Sequence, residues 1–308
     1  MSNPSPPGRA MLGKLGLSVG GILLALFVAE GALRLGPDGY DGHIRAFSAA
    51  AVESDPTLSH RLKPQVEVTV NRIHYRTSRL GTRGPDPREA PPSHRVLVLG
   101  DSVTMGWGVA EEETWPARVE RAMDGDVEVI NAAVLGWGVE QYVARFLELA
   151  PRLAPDTVLV GYFPNDPAGT EAVARSRPWF RSELLHRLRS RGAPNATDRH
   201  RALHAEGTPE WQTVERAFTE LGAECTARRL RCAIVLLPSL VGQPYPLGAE
   251  HRRLEALATA HGFSTLDLAP EVAGRAPSEL WVAADDSHPN AEAHGLYARA
   301  IAEWITTW

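Results

Sequence analysis

Five short apolar runs alternate with amphipathic stretches from residue 95 to the end of the chain, and this alternation limits the possible folds most strongly. The runs are rich in branched residues, and the stretches between them carry apolar side chains at helical spacing. Strands that alternate with helices form a parallel sheet with helices on both faces, and ligands bind at the carboxyl ends of the strands. The sequence therefore predicts a three-layer α/β/α sandwich, flavodoxin-like, with a five-stranded parallel sheet. The predicted strands are 96–99, 127–130, 157–162, 233–237 and 264–268, and the predicted helices are 115–123, 139–149, 211–230, 247–261 and 290–308.

An uncharged run of fifteen residues, 15–29, lies near the N-terminus. As a helix it covers roughly 22 Å, whereas the bilayer core is ~30 Å thick, so a membrane span would need residues 12–33. Arg9 and Lys14 precede the run. Basic residues on that side favour a hydrophobic membrane anchor, with the rest of the chain outside the cytoplasm.

Two alternatives for this run stay open. Ala29-Glu30-Gly31 fits the small-x-small pattern of a signal-peptide cleavage site, which would give a secreted protein. An apolar stretch of this length is also typical of a helix buried in a soluble core. The anchor and the signal peptide both predict that the remaining chain works in the cell envelope or beyond it.

The charge balance excludes one class of partner. The 308 residues include 32 Lys and Arg against 37 Asp and Glu, a formal net charge of -5. Proteins that bind nucleic acids present a basic surface to the phosphate backbone, so we expect no nucleic-acid partner. A hydrophobic content of 44% is enough for a large core and excludes a disordered chain.

Residues 36–94 form a predicted spacer between the N-terminal segment, 1–35, and the domain at 95–308. Apolar and polar residues alternate on both sides of Asn71-Arg72, which predicts a β-hairpin. Glycines and prolines in 81–87 then predict a loop. The alternating apolar residues of the hairpin are Val66, Val68, Val70, Ile73 and Tyr75.

Residues 167–210 interrupt the alternation of strands and helices. They carry eight arginines against five acidic residues, a net charge of +3 (8 - 5). One interpretation is a solvated helical insertion, and the other is a cap over the active site that contacts an anionic or glycan substrate. The arginines are Arg175, Arg177, Arg181, Arg187, Arg189, Arg191, Arg199 and Arg201.

Gly100-Asp101-Ser102 follows the first predicted strand directly. A serine at the end of a strand, where a helix begins, lies beside free backbone N–H groups and can act as a nucleophile. An ordinary helix cap is the alternative. Thr104 excludes the Gly-x-Ser-x-Gly elbow of the α/β-hydrolases, and the missing lysine excludes a phosphate-binding loop.

Asp285-Asp286-Ser287-His288 precedes the last predicted helix. A nucleophilic serine requires a base, and the base requires an acid that fixes its tautomer. Asp285 and His288 are three residues apart in one loop, so we expect Asp285 to orient His288. A capping aspartate beside a surface histidine is the alternative. A zinc site of these carboxylates with His288 and His294 is not expected, because no further ligand completes it.

Two further segments follow the second and third predicted strands. Acyl transfer requires hydrogen-bond donors aimed at the oxyanion, and a glycine N–H with an asparagine amide on adjacent strand ends supplies them. The candidates are Gly136 and Asn165. Taken alone, each is equally typical of a turn.

Together these four segments resemble the blocks of the SGNH (GDSL) hydrolase superfamily, in the same order, over about residues 95–306. The stretch 81–85 is similar to the leader of membrane-anchored bacterial members, whereas Phe163 stands where the family has a glycine. The resemblance implies a three-layer fold. It also implies roles for five residues: Ser102 as nucleophile, His288 as base, Asp285 as its orienter, and the Ser102 N–H, Gly136 N–H and Asn165 side chain as oxyanion donors.

This resemblance implies a serine esterase or deacetylase that forms an acyl-enzyme and needs no cofactor or metal. Its expected partner is an ester-bearing small molecule, glycan or lipid, with the cell envelope as location. Two alternatives stay open, because one triad serves several chemistries. The first is an O-acyltransferase acting on an envelope polysaccharide, and the second is a non-catalytic binding or scaffold domain.

The sequence leaves the roles of four other residues open. Cys225 and Cys232 are seven apart, and either a disulfide or two buried thiols fits this spacing. Trp107 and Trp137 flank the predicted site. Core packing is the expectation for both, with a wall of an acyl pocket as the alternative.

Overall fold

The structure, a computed structural model, describes residues 7–35, 39–123, 125–172 and 195–307. The chain divides into two compact units. One consists of Met1–Asp38 and Arg177–Pro194, and its described element is the helix α1, Pro7–Leu35. The other consists of Gly39–Ser176 and Asn195–Trp308 and contains all the other described elements.

Helix α1 contains the uncharged run near the N-terminus. Its described apolar side chains, from Leu17 to Val28, are exposed. Across the ranges that the structure describes, no helix combines the length and the apolar content that crossing a membrane requires.

From residue 39 onward, where the structure describes it, the predicted spacer forms one helix and two antiparallel strand pairs. Helix α2 is Tyr40–Ala51, and β1 (Val52–Asp55) pairs with β2 (Ser59–Leu62). Strand β3 (Glu67–Val70) pairs with β4 (Ile73–Arg76), which confirms the predicted hairpin. Neither α2 nor the first strand pair was predicted from the sequence.

A five-stranded parallel sheet in the order β6-β5-β7-β8-β9 forms the centre of this unit, as predicted. Because β5 lies between β6 and β7, the loops after these three strands meet at one edge of the sheet. The strands are β5 (His94–Gly100), β6 (Val127–Asn131), β7 (Thr157–Tyr162), β8 (Arg231–Leu236) and β9 (Ser264–Asp267), with the short antiparallel pair β10 (Trp281–Ala283) and β11 (Asp286–Pro289) outside the sheet.

Both faces of the sheet are covered, which explains the nearly continuous apolar runs. Successive side chains of a strand point to opposite faces. Leu97 and Leu99 of β5 belong to a core shared with α5 and α7, while Val96 and Val98 belong to a core shared with α4 and α9. The helices of this unit beyond α2 are α3 (Ser102–Met105), α4 (Trp115–Ala122), α5 (Val139–Leu153), α6 (Ala196–Leu203), α7 (Pro209–Arg228), α8 (Gly248–Ala260) and α9 (Ala291–Ile305).

The predicted insertion at 167–210 is described only at its two ends. A 3-10 turn covers Asp166–Ala172, and the chain continues with α6 and the start of α7. Arg199 and Arg201 lie on α6 and are exposed. The other six arginines lie outside the described residues, so the interpretation as an active-site cap stays a prediction.

Candidate active site

The site begins where β5 ends. Asp101 caps the short helix α3, because its Oδ1 accepts a hydrogen bond from the Val103 N–H at 2.9 Å. Ser102 is the first residue of that helix and is 5% exposed. The cap therefore places Ser102 at the carboxyl edge of the sheet, where a nucleophile was predicted.

Ser102 and His288 are in hydrogen-bond contact, although 186 positions separate them in the chain. The Oγ atom of Ser102 lies 2.9 Å from Nε2 of His288, and Nδ1 of the same ring lies 2.6 Å from Oδ1 of Asp286. When Nδ1–H donates to the carboxylate, Nε2 is left to accept the serine proton. The three groups are therefore arranged as nucleophile, base and orienting acid.

The prediction that Asp285 orients His288 is wrong, because Asp286 makes this contact. Residues Asp286–Pro289 form strand β11 rather than a loop. In a strand, side chains two residues apart share a face, so Asp286 and His288 point the same way. Asp285 lies exposed in the turn before the strand, and its Oδ2 accepts a hydrogen bond from the Tyr40 N–H at 3.2 Å.

Both carboxylate oxygens of Asp286 have donors. Oδ1 accepts from the ring and the backbone N–H of His288, and Oδ2 accepts from Nε1–H of Trp107 at 2.8 Å. Burial alone raises the pKa of Asp286, but the hydrogen bonds and the charge of His288 outweigh it and hold this pKa below its ordinary value. The carboxylate is thus ionised and stabilises the imidazolium that forms when His288 takes a proton.

Trp107 is held in place by the spacer. Its ring stacks on Tyr75 of β4, with 5.7 Å between the ring centroids. The Tyr75 hydroxyl also accepts a hydrogen bond from the Gly108 N–H at 3.0 Å. The spacer hairpin therefore fixes the indole that donates to Asp286, a support that reasoning from the sequence missed.

Arg83 also stabilises the segment that carries Trp107, from Gly106 to Val109. Its guanidinium lies 4.3 Å above the Tyr75 ring and donates to the carbonyls of Gly106 at 2.9 Å and Val109 at 2.8 Å. Arg83 is 5% exposed. The only sequence signal was its place in Gly81–Pro85, a stretch to which the family resemblance assigned no role.

A second carboxyl group lies beside the nucleophile. Oδ2 of Asp101 is 3.4 Å from Oγ of Ser102. Burial raises the pKa of Asp101 to about 6, against the lowering effects of the Val103 N–H and the charge of His288. At neutral pH and above, Asp101 is therefore ionised, and its negative charge stabilises the imidazolium that forms when His288 takes the serine proton.

We expect Asp101→Asn to lower kcat about tenfold at pH ~8, the factor that a loss of about 1.4 kcal/mol in transition-state stabilisation represents. The wild-type enzyme loses the same charge as the pH falls through about 6. The two proteins should therefore converge in kcat below that pH. A kcat profile from about pH 5 to 9 on a short acyl ester measures this.

Thermal unfolding provides the control for Asp101→Asn. The asparagine oxygen still accepts the Val103 N–H, so the helix cap is kept. Because the pKa of Asp101 is raised on folding, its ionised form costs stability above about pH 6. The variant should thus melt at an equal or higher Tm at pH ~8. Unchanged kcat at that pH would contradict the role assigned to this charge.

Three candidate oxyanion donors follow the adjacent strands β5, β6 and β7. They are the Ser102 N–H, the Gly136 N–H and the Asn165 side chain. Within the described ranges, none of the three donates a hydrogen bond. Gly136 has a φ of 75°, which only glycine adopts without strain, so the loop that presents its N–H depends on this residue.

The chain accommodates Phe163 where the family has a glycine. Phe163 is not among the described residues with positive φ, so its backbone does not require glycine. Its N–H donates to Oδ2 of Asp166 at 2.9 Å, which closes the turn that carries Asn165. Burial, reinforced by the charge of Asp101, raises the pKa of Asp166 well above its ordinary value.

We expect Asn165→Ala to lower kcat about 10²–10³-fold, the usual cost of one oxyanion donor. Asn165 is exposed, so the free energy of unfolding should stay within ~0.5 kcal/mol of the wild-type value. Steady-state kinetics and denaturant titration measure the two quantities. Gln212→Ala, which removes another exposed amide, is the matched control and should leave kcat unchanged. Equal kcat for both variants would remove Asn165 from the site.

The other residues singled out in the sequence have structural roles. Trp137 is 2% exposed and donates from Nε1 to the His60 carbonyl at 2.8 Å, so it packs in the core. Cys225 and Cys232 form a disulfide between α7 and β8. In the part of the chain that the structure describes, no three His, Cys, Asp or Glu side chains are grouped to hold a metal ion.

Comparison with known proteins gives one family match. The model of the GDSL-like Lipase/Acylhydrolase family matches residues 98–296. This range is well over half of the chain and includes Ser102, Gly136, Asn165 and His288.

Two curated relatives match a shorter part of the chain. An arylesterase of Vibrio mimicus is 35% identical over 77 residues, which is 24% of this chain and 38% of the relative. Thioesterase 1/protease 1/lysophospholipase L1 of Escherichia coli (strain K12) is 31% identical over 77 residues, 25% of this chain and 37% of the relative. The chain thus spans less than two fifths of the length of these relatives.

Two solved structures resemble a larger part of the chain. The psychrotrophic esterase EstA from Pseudoalteromonas sp. is 20% identical, with 70% of this chain and 98% of that chain covered and a TM-score of 0.44. An acetylxylan esterase from Geobacillus stearothermophilus, solved as a catalytic mutant, is 19% identical, with 71% and 96% covered and a TM-score of 0.47.

Proposed function

Because the chain belongs to the GDSL-like lipase/acylhydrolase family, we propose that it is a serine ester hydrolase that works through an acyl-enzyme at Ser102. One observation carries this proposal: the continuous contact from Ser102 Oγ to His288 Nε2 at 2.9 Å and from His288 Nδ1 to Asp286 Oδ1 at 2.6 Å. This is the arrangement that activates a serine hydroxyl for attack on a carbonyl.

The reaction proceeds in two halves. In the first, Oγ of Ser102 attacks the ester carbonyl while His288 takes the proton, and the oxyanion is stabilised by the N–H groups of Ser102 and Gly136 and by the Asn165 side chain. His288 then gives this proton to the leaving alcohol. In the second half, His288 removes a proton from water, which attacks the acyl-enzyme. His288 then returns this proton to Oγ of Ser102 as the acid is released.

We further propose that the substrate is an ester of a cell-envelope glycan or lipid. The uncharged run at 15–29 supports delivery outside the cytoplasm, by a membrane anchor over residues 12–33 or by a cleaved signal. The disulfide between Cys225 and Cys232 supports the same location, because such bonds persist in oxidising compartments. The names of the curated relatives, an arylesterase and a thioesterase with lysophospholipase activity, support acyl-group chemistry.

The location is tested by expressing the full chain with a C-terminal tag and separating the cell fractions. An anchor predicts the intact chain in the membrane fraction, and a cleaved signal predicts a shortened chain in the soluble envelope fraction. Tagged protein confined to the cytoplasmic fraction would contradict both.

The chemistry is tested by labelling the purified protein with a fluorophosphonate probe and by assaying a panel of acyl chain lengths and acetylated glycans. Labelling at Ser102 and release of free acid support the hydrolase. A mass gain on an added glycan in place of free acid would assign an O-acyltransferase. The absence of labelling at Ser102, together with no acid released from any ester, would leave a binding or scaffold domain.

A further inference from the structure

Tyr40 of the spacer contacts His288 of the candidate site. The ring of Tyr40, at the start of α2, lies over His288 with 5.5 Å between the ring centroids and 35° between the ring planes. The same ring meets Trp107 edge-on at 6.3 Å, and Trp107 itself lies 6.5 Å from His288. Two aromatic side chains therefore bound the imidazole, in addition to the hydrogen bonds at its two nitrogens.

Asp285 holds Tyr40 in this place. Its Oδ2 accepts a hydrogen bond from the Tyr40 N–H at 3.2 Å, across 245 positions of the chain. Glycine at position 39 leaves room for this approach, because a Cβ atom there would lie 2.8 Å from the same oxygen and would displace it. Gly39, Tyr40 and Asp285 thus form one contact, which we name the Tyr40 clasp.

The clasp gives the two neighbouring aspartates separate tasks. Asp286 fixes the tautomer of His288 through Nδ1, whereas Asp285 has no contact with the imidazole among the described residues and bonds to the start of α2 instead. Tyr40 meets the site through its ring, which contacts both His288 and Trp107.

We propose that Tyr40 is a positioning residue for the esterase reaction: its ring keeps His288 in the orientation in which Nε2 faces Ser102, and Asp285 holds that ring in place through the Tyr40 N–H. The inference rests on the proposed function. An imidazole that loses one bounding ring samples other orientations, so a smaller share of the molecules is ready to take the serine proton.

The first test replaces the ring. Tyr40→Ala should lower kcat on a short acyl ester about tenfold with KM unchanged, because an aromatic contact contributes on the order of one tenfold step. Tyr40→Phe keeps the ring and should restore wild-type kcat. A rise in KM without loss of kcat would instead make Tyr40 a substrate contact, and Tyr40→Phe as slow as Tyr40→Ala would make the hydroxyl the active group. Either result overturns the proposal.

The second test removes the hydrogen bond between the Tyr40 N–H and Asp285. Asp285→Ala removes the acceptor for the Tyr40 N–H and should lower kcat in the same direction as Tyr40→Ala. Asp285→Asn keeps an oxygen acceptor and should behave as the wild type. Wild-type kcat for Asp285→Ala would overturn the role given to Asp285.

A control separates positioning from a general loosening of α2. Ile44 lies one turn further along α2 and packs against the same core. Ile44→Ala should lower the Tm without lowering the kcat of the folded protein, and the rate of fluorophosphonate labelling per folded molecule should fall only for Tyr40→Ala. Equal losses of kcat in both variants would overturn the proposal. If Ser102→Ala keeps wild-type activity, the proposed function itself fails. If Ser102→Ala is inactive but Tyr40→Ala keeps wild-type kcat, only the role given to Tyr40 fails.

Discussion

Ser102→Ala should lower kcat about 10⁶-fold on a short acyl ester, because loss of the nucleophile removes the covalent route entirely. His288 then has no hydroxyl to activate, although the oxyanion donors and the binding surface remain. The free energy of unfolding should change by less than ~1.5 kcal/mol, since one buried hydroxyl and its hydrogen bond are lost. Steady-state kinetics, together with loss of fluorophosphonate labelling, measures the effect.

Ser287→Ala is the matched control for this variant. Ser287 lies beside His288 in β11, but its side chain is exposed. We expect wild-type kcat and full labelling. If purified Ser102→Ala kept wild-type rates, the assignment of Ser102 as nucleophile would be wrong.

Asp286→Asn should have the second largest effect, a loss of about 10⁴ in kcat, as expected when the acid of a triad can no longer fix the tautomer. Both oxygens of Asp286 accept hydrogen bonds, one from His288 and one from Trp107. An asparagine has one oxygen only, so its NH2 group must face a donor on one side. If it faces His288, the ring takes the tautomer in which Nε2 carries the proton and cannot act as a base.

Asp285→Asn distinguishes the two neighbouring aspartates. It keeps the acceptor for the Tyr40 N–H and does not touch the ring nitrogens, so kcat should stay within about threefold of the wild-type value. The two variants are compared by kcat at pH ~8. A larger loss for Asp285→Asn than for Asp286→Asn would restore the assignment made from the sequence.

The parallel sheet was predictable because its signal is local. Each strand of the sheet is a short apolar run, and each covering helix shows its apolar face at a regular spacing, so element type and order follow from neighbouring residues. The positions of Ser102 and His288 were predictable for a related reason. Each adjoins a recognisable element, the end of β5 and the start of α9, and sheet topology brings these ends together.

The role of Asp286 was missed because it depends on whether Asp286–Pro289 forms a strand or a loop. In a loop, a separation of three residues suits Asp285 and His288, whereas in a strand the face is shared at a separation of two. Strand β11 exists only because it pairs with β10, and the intervening turn gives no strong signal in the sequence. The Tyr40 clasp could not be predicted either, because Tyr40 and Asp285 are distant in the chain.

The α/β architecture, the chain order of the candidate site and the choice of Ser102 and His288 as candidate nucleophile and base follow from the sequence alone, because these depend on side-chain patterns within single elements. The carboxylate that contacts His288, and the contacts of Tyr40, Tyr75 and Arg83 that join the spacer to the site, become visible only in the folded chain. Those contacts join segments far apart in the chain, and their geometry is set by packing rather than by any local preference.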